Sequence, residues 1–262
     1  MKQVKILDIP FAKISQDEAI DVLESWVREG DANHVIVTPN PEGVMQARRN
    51  PDFAHALKNA ELSLADGTGV LLASYLGKEK LPGRVRGVDT IHLLLQRLSQ
   101  RWEETKNNNG NGFSAYFLGG KPGVADDAKV NMEAKYPGLS VVGLHHGFFS
   151  PDDNDKIITE INRLSPDILL VCTGMPRAEI WADRNKNILN TRLTLCLGGT
   201  LDVMSGGAKM APAFLRKIGL EWFYRLICEP SRAKRMMDIP RFIFAVILNR
   251  RNIPHERKQK EL

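Results

Sequence analysis

The 262-residue chain lacks any run approaching the roughly 18 apolar residues that a membrane-spanning helix needs. Between Met1 and Ile20 it also lacks the apolar core of a secretion signal. Both absences point to a cytosolic protein, unless some other device holds it at a membrane. Cysteine is scarce. Cys172, Cys196 and Cys228 form an odd set whose spacings fit no metal-binding pattern, which excludes a disulfide framework and a zinc module. Cys172 and Cys196 lie inside the apolar runs ILLVC and LTLCLG, where a thiol behaves as a small hydrophobe. No G-x-G-x-x-G opens the first strand–helix unit, and GGKPG (119–123) lacks P-loop spacing, so NAD chemistry and ATP hydrolysis are demoted. A nucleophile elbow and a Ser-His-Asp arrangement are missing too.

What is present is ordinary globular composition, 43% hydrophobic and 26% charged, ample for a core. The charge is uneven. Residues 209–262 hold 13 Lys/Arg against 5 Asp/Glu, a net +8, which leaves residues 1–208 at −3. A segment so basic reads as an element for nucleic acid, a membrane surface or an anionic ligand. Apolar runs that look like buried strands recur: VKILDI, HVIVT, AELSLA, SAYFLGG, LSVVGL, DILLVCTG and LTLCLGG. Helical patterns such as SQDEAIDVLESWVREG and VDTIHLLLQRLSQRWEE separate most of them, and Ser15 with Glu18 fits a capping box. Such alternation implies parallel strands with right-handed crossovers. The expected fold is α/β: two Rossmann-like halves with mainly parallel sheets, plus a basic helical C-terminal appendage. The Asn-rich tract KNNNGNG (106–112) divides residues 1–105 from 113–208, and the appendage is 209–262.

Two strand ends in the first half carry small polar groups: Thr38-Pro39-Asn40-Pro41-Glu42 and Asp66-Gly67-Thr68-Gly69. Ligands bind outside the carboxyl ends of the strands in open α/β sheets. Asp66 is then a carboxylate on a rigid element at the mouth of a crevice, a good place for a general base. Thr38, Asn40 and Asp66 read equally well as helix caps. Three strand ends in the second half are Gly-rich: FLGGKPGVADDA (117–128), CTGMPRAEIW (172–181) and CLGGTLDVMSGG (196–207). Glycines such as Gly120 and Gly199 let backbone approach a ligand, and a following helix offers N–H groups to phosphate. Three such loops on one edge indicate a nucleotide or diphosphate site. Asp153-Asn154-Asp155 has the look of a manganese site, but it follows Ser150-Pro151 and reads better as a cap. His145-His146 closes an apolar run without a ligand set around it.

In the basic segment, Arg225, Arg232 and Arg235 follow the apolar Trp222, Phe223, Leu226 and Ile227 at helical intervals, with Pro230 between. Guanidinium forks of this kind match phosphate oxygens. FIFAVIL (242–248), flanked by Arg241 and Arg250-Arg251, is too short to cross a bilayer. It could lie in the interface, or be the packed face of an amphipathic helix.

Seven segments in order carry a resemblance: TPNPE (38–42), LADGTGV (64–70), PGRVRGVD (82–89), FLGGKPGVA (117–125), GMPRAEIW (174–181), GGTLDVMSG (198–206) and GLEWFYRL (219–226). Together they resemble the WecG/TagA/CpsF family of bacterial glycosyltransferases across nearly the whole chain. The resemblance implies metal-independent, cofactor-free, inverting transfer from a UDP-sugar donor to a polyprenyl-diphosphate-linked N-acetylglucosamine acceptor. In the best-known member type the sugar is N-acetylmannosamine and the polymer is wall teichoic acid. Asp66 matches the family's proposed base. Thr38, Asn40 and Arg84 match pocket residues, and Asp202 an acidic residue near the nucleotide. Arg225, Arg232 and Arg235 match arginines of a membrane-binding appendage that completes the site. The implied location is cytoplasmic, peripheral on the inner face of the plasma membrane. The expected contacts are an anionic membrane surface and no nucleic acid, and a homo-oligomer stays open. One departure is Ala178, where the family pattern G-x-P-[RK]-Q-E carries a glutamine. Two alternatives remain: a family transferase using N-acetylmannosaminuronate, glucose or glucuronate in exopolysaccharide or common-antigen assembly, and a nucleotide-binding membrane adaptor. An adaptor would not need Asp66 at a crevice mouth.

Overall fold

VKILDI is not one buried parallel strand. The chain opens with an antiparallel hairpin of β1 (Gln3–Ile6) and β2 (Ile9–Ala12), turned by Leu7 and Asp8. Both turn residues have positive φ, 48° and 68°, the sense that matches the twist of a two-residue hairpin. Leucine is a poor residue there, at a cost of roughly 1–2 kcal/mol. Its side chain is buried in the core, which gains roughly 1.5–3 kcal/mol and offsets that cost.

A computed structural model describes residues 1–77, 79–108, 112–208, 211–212, 214–215, 221–228 and 236–251. After the hairpin come α1 (Gln16–Glu29), β3 (His34–Val37), α2 (Pro41–Ala47), α3 (Pro51–Asn59), β4 (Leu62–Ser63), α4 (Thr68–Leu76) and α5 (Gly87–Thr105). Then follow β5 (Phe113–Gly119), α6 (Val124–Lys135), β6 (Leu139–His145), α7 (Asn154–Leu164), β7 (Ile168–Cys172), α8 (Arg177–Asn185), β8 (Leu193–Cys196) and α9 (Thr200–Met204). The last described helices are α10 (Glu221–Cys228) and α11 (Asp238–Arg251). The capping box expected at α1 is present: Glu18 N–H donates to Ser15 Oγ at 3.3 Å, and Ser15 N–H to Glu18 Oε2 at 2.8 Å.

The α/β class, the parallel pairing and a helical C-terminal region are as the sequence indicates. The parallel strands β3 and β4 of residues 1–105 and β5 to β8 of 113–208, however, share one sheet rather than forming two. Its order is β4-β3-β8-β7-β5-β6, all parallel. The joint is β8, which pairs with β3 on one side and β7 on the other. One core lies between the sheet and α1, α5 and α6, around Ile36, Leu94, Phe117 and Leu195. A second lies on the opposite face beneath α2, α3, α4, α7 and α8, around Val37, Phe53, Leu118 and Val171.

The FIFAVIL run divides between two environments. In α11, Phe242 and Val246, one turn apart, are buried in the second core, while Phe244, Ile247 and Leu248 face outward. The helix packs on α2 and α4. An ion pair fastens its first turn: Arg49 Nη1 donates to Asp238 Oδ1 at 3.0 Å, Nη2 donates to Oδ2, and Arg241 Nη1 reaches Oδ1 at 3.3 Å. The Arg49 guanidinium holds the Asp238 carboxyl below its usual range, against the opposing effect of burial. Arg49 is half exposed, so solvent screening limits the pair to about 1 kcal/mol. Arg49→Met should therefore loosen α11 without unfolding the sheet. Amide exchange across 239–249 should speed up about fivefold, the equivalent of that energy, with β7 unaffected. Unchanged exchange in α11 would show that Phe242 and Val246 hold the helix alone.

Candidate active site

The parallel sheet brings the sequence-nominated strand ends to one edge. From one side to the other these are Asp66 after β4, Thr38 and Asn40 after β3, Gly199 after β8, and Gly120 after β5. Four strand spacings separate the ends of β4 and β5, about 19 Å.

Asn40 does cap a helix. Its Oδ1 accepts the Gly43 N–H at 2.9 Å, at the start of α2. Asp66 is half-buried and precedes Gly67, whose φ of 96° turns the chain from β4 into α4. A Cβ at Gly67 would lie 3.5 Å from Pro41 Cδ and 3.8 Å from Asn40 Cβ, so the Asp66–Gly67 and Asn40–Pro41 turns are in contact. The 82–86 segment runs beside them, with Val85 N–H donating to Ala65 O at 3.0 Å. That bond sets Arg84 and Asp66 on adjacent stretches of backbone, and each interacts with other groups of the chain. Thr38 Oγ1 donates to Cys196 O at 3.3 Å, tying the end of β3 to that of β8. Across from it, α5 begins at Gly87, where a Cβ would fall 2.9 Å from Leu197 and 3.2 Å from Thr38.

The second half supplies the remaining loops. Gly120 has φ 70°, donates to Cys172 O at 3.4 Å and accepts from Gly147 N–H at 2.8 Å. Asp202 is half-buried on α9, its Oδ2 3.4 Å from where a Gly199 Cβ would stand. The loop after β7 reaches α2: Met175 Sδ would lie 2.5 Å from a Cβ at Gly43. Thr38, Asn40, Asp66 and Arg84 thus gather at one end of the edge, Gly120, Gly199 and Asp202 along the rest. Arg225 lies on α10 with its side chain outside the described residues, as are Arg232 and Arg235 altogether.

Other nominated residues have structural partners. Asp153 Oδ2 accepts from Ser150 N–H and Oγ at 3.2 and 2.7 Å, the capping arrangement, and these bonds hold its carboxyl low. The Asn154 side chain accepts from the Trp181 indole at 2.6 Å. His145 turns its ring to the His146 carbonyl at 2.8 Å and edge-on to Phe149. Burial pushes the Cys172 thiol up to about 12 and the Cys196 thiol well above its usual value, so neither supplies a thiolate. Among the described residues no group of three His, Cys, Asp or Glu could hold a metal ion. Two surface concavities, of about 430 and 470 Å³, lie away from this edge. The first is the open outer face of α7 alone, and the second runs between the Leu7–Asp8 turn and α11. Neither touches the strand ends, where the polar groups collect.

The sequence reading missed three of these groups. Four buried side-chain oxygens lack a hydrogen-bond partner among the described residues: those of Glu24, Ser63, Thr173 and Glu179. Glu24 faces Arg97 and Arg101 at the far side of α1. The other three stand at the carboxyl edge, on β4, after β7 and in the first turn of α8. Each such oxygen costs about 1–3 kcal/mol in a dry core. Burial pushes the Glu179 carboxyl up to about 7. The signal was available: Glu179 is a lone charge in A-E-I-W, between Ala178 and Trp181, which are both buried.

A Bacillus subtilis (strain 168) protein named N-acetylglucosaminyldiphosphoundecaprenol N-acetyl-beta-D-mannosaminyltransferase is 29% identical over 252 residues, covering 96% of this chain and 94% of the relative. Proteins of the same name from Bacillus spizizenii and Staphylococcus aureus (strain MRSA252) are each 28% identical over 96% of this chain, with 93% and 94% of their own lengths covered. The family model described as "Glycosyl transferase WecG/TagA/CpsF family" matches residues 4–256. The chain belongs to that family and is a glycosyltransferase.

Proposed function

We propose that this enzyme transfers N-acetylmannosamine from UDP-N-acetylmannosamine to undecaprenyl-diphosphate-linked N-acetylglucosamine, with inversion at the anomeric carbon. The observation that carries the substrates is the full-length match to relatives named for that transfer. The chemistry follows from the edge. The acceptor hydroxyl attacks the anomeric carbon while Asp66 takes its proton, and the bond to UDP breaks with its electrons leaving on the diphosphate. Base and diphosphate must be far enough apart to flank the transferred sugar, and the edge has that length. Thr38, Asn40 and Arg84 line the base's end. Charge gathering on the departing diphosphate needs fixed donors. The N–H groups of the Gly120 and Gly199 loops, with Arg225, Arg232 and Arg235, fill that role, and Asp202 contacts the nucleotide. No metal ion takes part.

The acceptor is lipid-linked, and no described helix is long and apolar enough to cross a membrane. We infer attachment to the inner leaflet of the plasma membrane through the basic 209–262 segment. The outward residues Phe244, Ile247 and Leu248 of α11 and Trp222, Phe223 and Ile227 of α10 supply the apolar contact.

Three outcomes test this reading. Asp66→Asn should keep the fold and UDP affinity yet lower transfer to a soluble lipid-diphosphate-N-acetylglucosamine analogue by about a hundredfold or more; near-normal turnover removes Asp66 from the base role. EDTA should leave transfer by the native enzyme intact, and a loss restored by Mn²⁺ or Mg²⁺ would overturn the metal-free mechanism. The two faces of α11 should separate cleanly. Phe244→Ser with Ile247→Ser should weaken binding to anionic vesicles with little change in melting temperature. Phe242→Ala should lower stability by about 3–5 kcal/mol through the cavity it leaves. Equal effects on both measurements would refute the division.

A further inference from the structure

Ser63, Thr173 and Glu179 share more than the lack of a partner. Leu62 and Leu64 enter the core under α1 and α5, so strand alternation turns Ser63 to the opposite face, the one α8 covers. Val171 lies in that second core, and Thr173 stands two residues on, in the bend that follows β7. Ser63 is in register with Val37, Val37 with Cys196, and Cys196 with Val171. Helix α8 packs over β3, β8 and β7, and Glu179 acts electrostatically on Cys196. Ser63 and Glu179 therefore lie on one face of one edge, with Thr173 at the same edge in the bend after β7, so the three orphan oxygens spread over the strands that separate Asp66 from the Gly120 loop.

We propose that Ser63, Thr173 and Glu179 form a subsite for the hydroxyl groups of a substrate sugar ring, with Glu179 a specificity-determining residue that contacts the ring directly. This assignment rests on the transferase reading and names the part of the substrate that meets this face. The chemistry selects the ligand. Two hydroxyls and a carboxyl offer donors and acceptors at several angles, the complement of a ring of hydroxyls. Among the described residues no cation bears on Glu179: its displaced acidity comes from burial, opposed by its own backbone N–H. A diphosphate would set fresh negative charge against a buried carboxyl and is unsuited here. A solely structural role is unsuited as well, because an apolar side chain of the same size would fill the space without an unmet hydrogen bond.

The remaining ionisable groups near α8 are engaged elsewhere. On the neighbouring α3, Asp52 pairs with Arg184, and His55 with Asp183. On β3, His34 stacks against Trp26. Cys172 of β7 lies in the opposite core, and the Cys196 thiol of β8 stays protonated. Glu179 thus resists ionisation in the fold and ionises freely when unfolded, so its contribution to stability falls as pH rises from about 4.5 to about 7.

The test uses full-length protein carrying Glu179→Met or Glu179→Gln. Calorimetry measures binding of UDP-N-acetylmannosamine and of UDP, kinetics give KM for the lipid-diphosphate-N-acetylglucosamine analogue, and thermal melts are recorded at pH 5 and pH 8. The Met variant should melt no lower than the wild type and lose at least tenfold in affinity for one sugar-bearing ligand. The Gln variant should lose less, and its melting temperature should gain on the wild type between pH 5 and pH 8. Weakened UDP-N-acetylmannosamine with UDP unchanged identifies the transferred hexose as the ring. Equal loss for both identifies the ribose, and a raised acceptor KM alone identifies the acceptor sugar. If the wild type binds donor normally and both variants match it in all three measurements, Glu179 has no such role and the transferase reading stands. Melting temperatures that fall in both variants, with activity following the folded fraction, would make the residue structural. A wild type that binds neither nucleotide would overturn the transferase reading and this assignment together.

Discussion

Six parallel strands impose a constraint that shapes the rest of the molecule. Every strand must be followed by a return across a face of the sheet, so all six carboxyl ends open on the same side. Polar residues that look scattered in sequence, from Thr38 to Asp202, are brought to one edge by that rule alone. Close packing between the returning helices does the fine positioning. Gly87 lets α5 begin against Thr38 and Leu197, and Gly43 lets the loop after β7 lie against α2. A side chain at either position would push apart elements that must approach to within van der Waals contact.

Much of this was legible in the residues, and the exceptions have physical causes. Strand–helix alternation gave the class, because a parallel strand buried on both faces is a plain apolar run. VKILDI misled for the same reason: nothing in it looks like a turn, and only tertiary burial of Leu7 makes a left-handed leucine acceptable. AELSLA forms only a two-residue strand, β4, at the edge of the sheet. The single sheet was hidden because the insertion of β8 between β3 and β7 leaves no local trace. Thr38, Asn40 and Asp66 could be placed at strand ends from position, and Asn40 serves α2 as its cap, the alternative its residue type also allowed. The orphan oxygens of Ser63 and Thr173 could not be found, since whether a hydroxyl has a partner is a property of packing.

The C-terminal segment shows how charge and hydropathy patterns can merge two roles. Its basic, apolar character suggested an appendage, yet α11 contributes Phe242 and Val246 to the core and carries Phe244, Ile247 and Leu248 outside. One helix thereby completes the fold with one stripe and leaves another bare. Ala178 makes the complementary point. Fully buried on α8, it packs into the second core where the family pattern carries a glutamine.

The position of β8 also bears on how the chain is made. Synthesis runs from the amino end, and β8 is the last of the described strands to emerge although it sits in the middle of the sheet. Until residues 193–196 leave the ribosome, the pair β4–β3 and the trio β7–β5–β6 each present a bare, hydrogen-bonding flank with nothing to bridge them. Such flanks are the surfaces through which nascent chains mispair. Closure then joins strands more than 150 residues apart, a slow step on loop-entropy grounds. The strand that unites the two groups is also the one whose end meets Thr38, so the edge that carries the proposed site comes into being only when β8 docks.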